Sequence, residues 1–528
     1  MEMKNSCRFY LFEVDKQDFC FDCYTLKVYP VSVHLKDLLQ KVDYKSIKKL
    51  YGKFYTTVVK QKELESKSHR ENICKVTLNF SNKCNLNCSY CFRNKNNTLT
   101  MSNEDLNDVF DFVINKYQPN VEGYSFSLCL NSESSLEIEK LKYIDSLVTK
   151  YEGRLFNVED FSLITPKSLF LKLPLEIQRK YSSNKDYIEI LNEILINENL
   201  WDYYDYTTID YPNELLSITK NLSHSKRTLV NRIILDHVFK EYGIERKTKY
   251  IALWFMTNGT NITDEYISFI KSLCLNPVTV SIDGPEEIHN YARKYRDGTG
   301  SYNEVIKGIK KLQKNNIDVE ASVVITPKYP DLEVIVDYLM TLNVKTISFG
   351  LSRGKFNICS FTKESIDVLL KSIDRIYNRI FNELMNNNKS ELLSVLKDNI
   401  IFTVIKQLYF RLYLSTRCTW GNVLIFDSKG DVYHCDSTIG YKEDCQGNYK
   451  GKISTKIQEI PNVNSTKKCK ECWAKYFCGG TCHAEKIFKN ENNTQMECYF
   501  KKELIKRELE LYIKLYKHNL LKVFCEQS

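Results

Sequence analysis

Long apolar runs are missing from this 528-residue chain. None approaches the roughly 18 residues of a membrane span, and Met1 to Cys7 has none of the layout of a signal peptide. Blocks of like charge are also absent. Lys and Arg exceed Asp and Glu by only 9, and basic and aromatic residues are scattered, which speaks against a nucleic-acid arm. Glycine and proline are few, at 18 and 10, while Lys, Asn, Ile and Tyr are plentiful; that bias reflects coding rather than chemistry. A cytosolic protein is expected, with no nucleic acid and no membrane among its partners. What the chain has in excess is cysteine, 19 in all. A reducing cytosol does not maintain a disulfide framework, so so many thiols point to metal or catalysis.

The length predicts two to four domains. Three short strands, Arg8 to Val14, Asp18 to Tyr24 and Leu26 to Val31, followed by amphipathic helical stretches, make a small α+β unit over 1-72. From residue 73 to 352 the pattern becomes α/β. Six strand candidates (75-80, 124-130, 250-256, 278-282, 319-325 and 346-351) alternate with segments of helical period such as 303-315 and 331-342. That alternation predicts a parallel sheet with right-handed crossovers and functional groups at the carboxyl ends of its strands. The stretch 151-246 is too long for a crossover and reads as an insertion, mostly helical in pattern. A helical linker is expected over 353-415. Residues 416-528 hold nine cysteines, Cys418 to Cys525, few long apolar runs and several turns, which suits a domain built around metal.

The first cluster, "CNLNCSYCF", places Cys84, Cys88 and Cys91 immediately after the first strand candidate. Three thiolates at these gaps can converge on one iron-sulfur cluster and leave one iron without a protein ligand. A structural zinc site wants four ligands, and Cys74 and Cys129 do not offer the paired spacing. The stretch resembles the signature of the radical S-adenosylmethionine (SAM) enzymes, and the resemblance extends over most of residues 75-352. It implies a partial (β/α)6 TIM-like barrel in which the three cysteines hold a [4Fe-4S] cluster and SAM chelates the open iron. Glu133, in "NSESSL", stands where the family's Gly-Gly-Glu-Pro contacts the SAM amino group; both glycines and the proline are replaced. Ser281 and Arg293 fall where relatives contact the SAM carboxylate and ribose, and Leu351 where adenine packs.

In the last segment Cys418, Cys435, Cys469, Cys472, Cys478, Cys482 and Cys498 exceed one tetrahedral site, so two metal centres are needed. A pair of zinc knuckles is permitted by the Cys469/Cys472 spacing alone. The whole string is similar to the SPASM extension of radical SAM enzymes. That implies two auxiliary [4Fe-4S] clusters, one on Cys469, Cys472, Cys478 and Cys498, the other on Cys418, Cys435 and Cys482. Sulfatase-maturing relatives carry a further cysteine shortly after the first of these, and this chain has none. Either Cys445 or a substrate thiolate completes that set. Asp436 sits where an aspartate takes the substrate proton in those relatives.

The first 72 residues resemble the winged-helix-like leader-binding domain of enzymes that modify ribosomally made peptides. The expected activity is a radical SAM oxidoreductase acting on a Cys-rich precursor peptide, by sulfur-to-carbon thioether cross-linking. The alternatives are a formylglycine-forming sulfatase maturase and an iron-sulfur peptide-binding protein without catalysis. A flavodoxin- or ferredoxin-type electron donor and a monomer or homodimer complete the expectation.

Overall fold

The computed structural model describes residues 8–59, 73–152 and 250–527, apart from positions within 93–98, 118–122, 129–131, 274–276, 411–422 and 452–465 and the single positions 355, 398, 481 and 490. Nearly all of the expected insertion 151-246, and Cys418, lie outside the described residues.

Three antiparallel strands open the chain: β1 (Phe9–Val14), β2 (Gln17–Asp22) and β3 (Lys27–Pro30). Helices Val33–Gln40 and Tyr44–Leu50 follow, capped by Ser32 and Asp43. Period-two alternation gives this small sheet two apolar faces. Phe9 and Cys20 turn toward Leu35, Leu38 and Ile47 of its own helices. Phe12, Val14, Phe19 and Phe21 turn the other way, onto Phe477, Ile505 and Leu509 near the chain's end. Tyr10 stacks on Trp473 at 4.0 Å between ring centroids and Phe21 on Phe477 at 4.8 Å. The sheet is thus sandwiched between its own helices and the cysteine-rich region.

Six parallel strands follow: β4 (Ile73–Leu78), β5 (Gly123–Leu128), β6 (Tyr250–Thr257), β7 (Val278–Ser281), β8 (Val319–Ile325) and β9 (Thr346–Leu351). They coincide with the six candidates, β4 and β5 beginning one or two residues earlier. Their neighbours in the sheet follow chain order, as successive right-handed crossovers require. The sheet continues past β4. There β10 (Val423–Phe426) pairs parallel to β4, and β11 (Asp431–Tyr433) and β12 (Cys445–Asn448) add antiparallel strands beyond it. The described residues therefore form a nine-stranded sheet ordered β12-β11-β10-β4-β5-β6-β7-β8-β9.

Helix Lys363–Asn387 carries a capping box at Thr362 and buries Leu369, Ile373, Ile376 and Ile380 in the same core as the barrel strands. The long helix Glu491–Lys517 packs along it. Close approach fixes one loop beneath the strand ends. Gly259 has φ +76°, and a Cβ on Gly308 of helix Tyr302–Lys314 would lie 2.0 Å from the Gly259 carbonyl oxygen. Only two glycines let this helix seat the turn after β6.

Candidate active site

Every barrel strand delivers polar groups at its carboxyl end to one cavity of about 380 Å³. The loop after β4 brings Cys84, Cys88 and Cys91, the loop after β5 Ser132 and Glu133, and the end of β6 Thr257 and Asn258. Ser281 ends β7, Arg293 follows it, Ser322 and Val324 belong to β8, and Leu351 ends β9. All seven residues read from the sequence for this end of the barrel, namely the three cysteines, Glu133, Ser281, Arg293 and Leu351, line this one space.

The cysteine loop is tied to the segment after β7 by backbone hydrogen bonds. Asn87 N–H donates to Lys294 O at 2.7 Å and Ser89 N–H to Ala292 O at 2.9 Å. Cys88 and Arg293 are therefore set by the same pairing. Burial pushes the Cys88 thiol up to about 11, Cys91 and Cys84 reinforcing this and Arg293 opposing it. Three thiols whose charges oppose one another need positive charge among them before they ionise together, which is what iron centres provide. Among the described residues no group of three or more His, Cys, Asp or Glu side chains is arranged for a single metal ion.

Glu133 is buried, and its carboxylate accepts from Thr257 Oγ1 at 2.5 Å, Asn258 N–H at 2.6 Å and Ser135 Oγ at 2.7 Å. Burial nonetheless pushes its pKa upward. Where the family pattern has glycine, Ser132 lines the cavity and carries a buried hydroxyl with no hydrogen-bond partner. An orphaned donor beside a carboxylate fits a polar ligand with both kinds of group, as the amino acid end of SAM has.

Sequence reasoning missed the hub under Arg293. Asp283, 1% exposed, accepts from Arg293 Nε at 2.9 Å, Tyr90 Oη at 2.6 Å and the Val324 amide at 2.9 Å. The Arg293 guanidinium also lies 5.4 Å from the centre of the Tyr90 ring. Buried His289 completes the scaffold. Its Nδ1 accepts from Asp283 N–H at 3.4 Å, and its Nε2 lies 3.0 Å from Ser301 Oγ, which donates to Arg293 O at 2.9 Å. The hydroxyl proton is thus committed, so Nε2 carries the imidazole hydrogen. Burial lowers the His289 pKa to about 4, keeping the ring neutral. "SIDGP" was legible as family-like, but nothing in its spacing says that Asp283 orients Arg293.

Cys469, Cys472, Cys478 and Cys498 line a second cavity of about 40 Å³, with Lys468 and Lys502 at its wall. Burial raises the Cys472 and Cys498 thiols, Lys502 opposing the first shift and Lys468 the second. Elsewhere Cys435 and Cys482 pack together with Ala484 and Phe488, and burial pushes the Cys435 thiol up to about 12. Cys445 lies on β12 opposite Tyr433, with its thiol 3.8 Å from Gly447 O. A buried aspartate that sequence reasoning also missed braces this pair. Asp444 lies 3.2 Å from His434 Nδ1 and 3.1 Å from His483 Nε2, and Thr438 donates to it as well. Those hydrogen bonds hold Asp444 well below the usual carboxylate range despite the upward push of burial. Because His434 precedes Cys435 and His483 follows Cys482, one carboxylate aligns both thiols. Asp436 is half-buried, accepts from Asn79 Nδ2 at 3.1 Å, and is pushed up to about 6 by desolvation. Its neighbour Ser437, not Asp436, is among the residues lining the main cavity.

The parallel strands, with a three-cysteine loop at their carboxyl ends, resemble those of radical SAM enzymes, and residues 221–350 match the family model described as the Radical SAM superfamily. That match begins after the cysteine motif, so motif and family model are independent signs. The chain is related to radical SAM enzymes of the SPASM type. It is 25% identical over 277 residues to the serine-type anaerobic sulfatase-maturating enzyme of Bacteroides thetaiotaomicron, covering 46% of this chain and 65% of that one. It is 25% identical over 340 residues to the radical SAM cyclopropyl synthase TigE of Paramaledivibacter caminithermalis, covering 62% and 68%. The chain thus spans about two thirds of the length of the curated relatives it matches. Among solved structures, native anSMEcpe with bound AdoMet superposes with TM-score 0.53 at 17% identity over 84% of this chain and 99% of that one, a likeness of fold. No helix among the described residues is long and apolar enough to cross a membrane.

Proposed function

We propose that the protein is a cytosolic radical SAM peptide maturase that modifies a ribosomally made precursor. The carrying observation is the convergence of Cys84, Cys88, Cys91, Glu133, Ser281, Arg293 and Leu351 on one cavity. In this reading the three cysteines would hold a [4Fe-4S] cluster, Glu133 would receive the SAM amino group, Ser281 and Arg293 its carboxylate and ribose, and Leu351 would pack on adenine. When bound, the cluster and SAM supply a 5′-deoxyadenosyl radical that abstracts a substrate hydrogen, the electron coming from a flavodoxin or ferredoxin. Asp283 and His289 hold Arg293 in place, and the barrel wall excludes water that would compete for reactive groups.

Cys469, Cys472, Cys478 and Cys498 would hold one auxiliary [4Fe-4S] cluster and Cys418, Cys435 and Cys482 another, with Cys445 or a substrate thiolate completing the second. Asp436, with its raised pKa, would take the substrate proton. The leader of the precursor would add as a strand at an edge of the N-terminal sheet. Thioether formation is the chemistry favoured where a substrate thiolate, rather than Cys445, completes the Cys418, Cys435 and Cys482 set. The relationship to TigE favours a second chemistry, carbon-carbon bond formation. The test is anaerobic reconstitution with SAM and dithionite beside a precursor peptide from a neighbouring gene. Production of 5′-deoxyadenosine with loss of two hydrogens from the peptide is expected, and thiol alkylation then separates the two linkages. An unchanged peptide mass despite SAM cleavage would overturn the peptide reading.

A further inference from the structure

A small cavity of about 20 Å³ adjoins the main chamber, and Leu351, Ser352 and Arg353 line both. Its inner wall carries Glu485 of helix His483–Phe488, which is 2% exposed and has no hydrogen-bond partner on either carboxylate oxygen. The Asn493 side chain and the Gly354 amide lie near enough to ease its charge, without reaching full hydrogen-bond geometry at either oxygen. Arg353 eases its charge through space only in part, while Arg353 Nη2 pairs with Glu497 Oε1 at 3.3 Å. Two carboxylates therefore share one guanidinium. A buried carboxylate left without a partner is costly, and the cost vanishes when a cation with hydrogen-bond donors arrives.

The space selects the cation. A cavity of this volume admits one group the size of a water. A primary ammonium is that compact and carries three donors, whereas a guanidinium is a wide planar fork. The remaining wall is apolar, with Phe361, Ile366 and Met496, which suits a methylene stem leading out past Leu351 into the chamber. We propose that Glu485 forms an ammonium subsite, receiving the primary amine of a lysine-type side chain of the substrate while the rest of that substrate occupies the chamber. The identification of the amine as a peptide's rests on the maturase reading; the subsite itself does not.

The probe is n-butylammonium chloride, titrated into the anaerobically prepared, iron-loaded full chain against KCl at equal ionic strength. Binding is read from the rise in thermal midpoint, which follows ligand concentration by mass action. The wild type is expected to bind n-butylammonium and to ignore K+ and n-butanol. Glu485→Gln should bind it at least tenfold more weakly, as loss of a charge-assisted hydrogen bond implies, and Glu485→Asp should fall between. Equal binding by wild type and Glu485→Gln, an equal response to K+, or no response in the wild type would overturn the proposal. Should the variants not fold, an alkylammonium series from methyl to hexyl decides on the wild type alone: affinity that rises with stem length supports the subsite, and a flat series sinks it. Failure of the maturase reading shows up separately, as an unmodified precursor beside intact n-butylammonium binding.

Discussion

Asp283 governs the main cavity although it does not face it. Its single carboxylate is shared by Arg293, Tyr90 and the Val324 amide, and stripping its charge leaves a buried guanidinium unpaired. Breaking such a pair costs about 3–5 kcal/mol. Asp283→Asn is therefore expected to lower the thermal midpoint and to weaken SAM binding more than tenfold by equilibrium dialysis, with cluster iron retained; unchanged SAM affinity would refute the positioning role. His289 gives a pH signature of definite sign. Its folded pKa is depressed to about 4 from an unfolded value of about 6.5. Above about 6.5 both states are neutral and stability does not respond. As pH falls from there toward 4, the unfolded chain takes up the proton first, and folding loses up to about 3 kcal/mol. The gap between wild type and His289→Asn in urea midpoint should narrow as pH drops from 7 to 5; a constant gap would contradict it. The three cysteines of the cavity were legible because their spacing is a chemical requirement, and Glu133, Ser281, Arg293 and Leu351 only through the family resemblance. Asp283, His289 and Asp444 were not, since a hydrogen-bond hub depends on which loops meet, and no local pattern records that.

The secondary elements were more legible than their assembly. Period-two and helical runs located six barrel strands and the N-terminal meander, because apolar alternation reports which faces are buried. The partner of each face is a tertiary matter. Nothing in "RFYLFEV" says that Phe12 would meet Phe477, or that β10 would pair with β4. Two elements give direct tests. Gly308→Ala forces a methyl to within 2.0 Å of the Gly259 carbonyl. Overpacking of that kind costs about 1–3 kcal/mol, and by displacing the Thr257 to Asn258 turn it should also weaken SAM binding; a variant with wild-type midpoint and SAM affinity would contradict the close approach. Phe21→Ala, in the face that meets Phe477, should cost about 3–5 kcal/mol. Limited proteolysis is expected to cut this variant first near the N-terminal sheet, and an unchanged cleavage pattern would refute the docking.

At the scale of the whole molecule, three cysteine groups sit at separate places on one framework, so their metal contents should be separable. An iron count of about twelve per chain is expected for three four-iron clusters. Cys472→Ala should lose about four irons and keep SAM binding, whereas Cys88→Ala should lose about four and abolish SAM cleavage. Equal loss of all iron in both variants would show that the sites are not independent. One shared sheet holds the framework together, and the pairing of β10 with β4 bears on how the protein is made. Leu78 ends β4 and Val423 begins β10, so about 345 residues must emerge before that edge is covered. At about 5–20 residues per second, a ribosome exposes it for roughly 17 to 70 seconds. An unpaired parallel edge held open that long invites strands of neighbouring nascent chains, so yield in a cell should depend on chaperone supply more steeply than the stability of the finished protein would suggest.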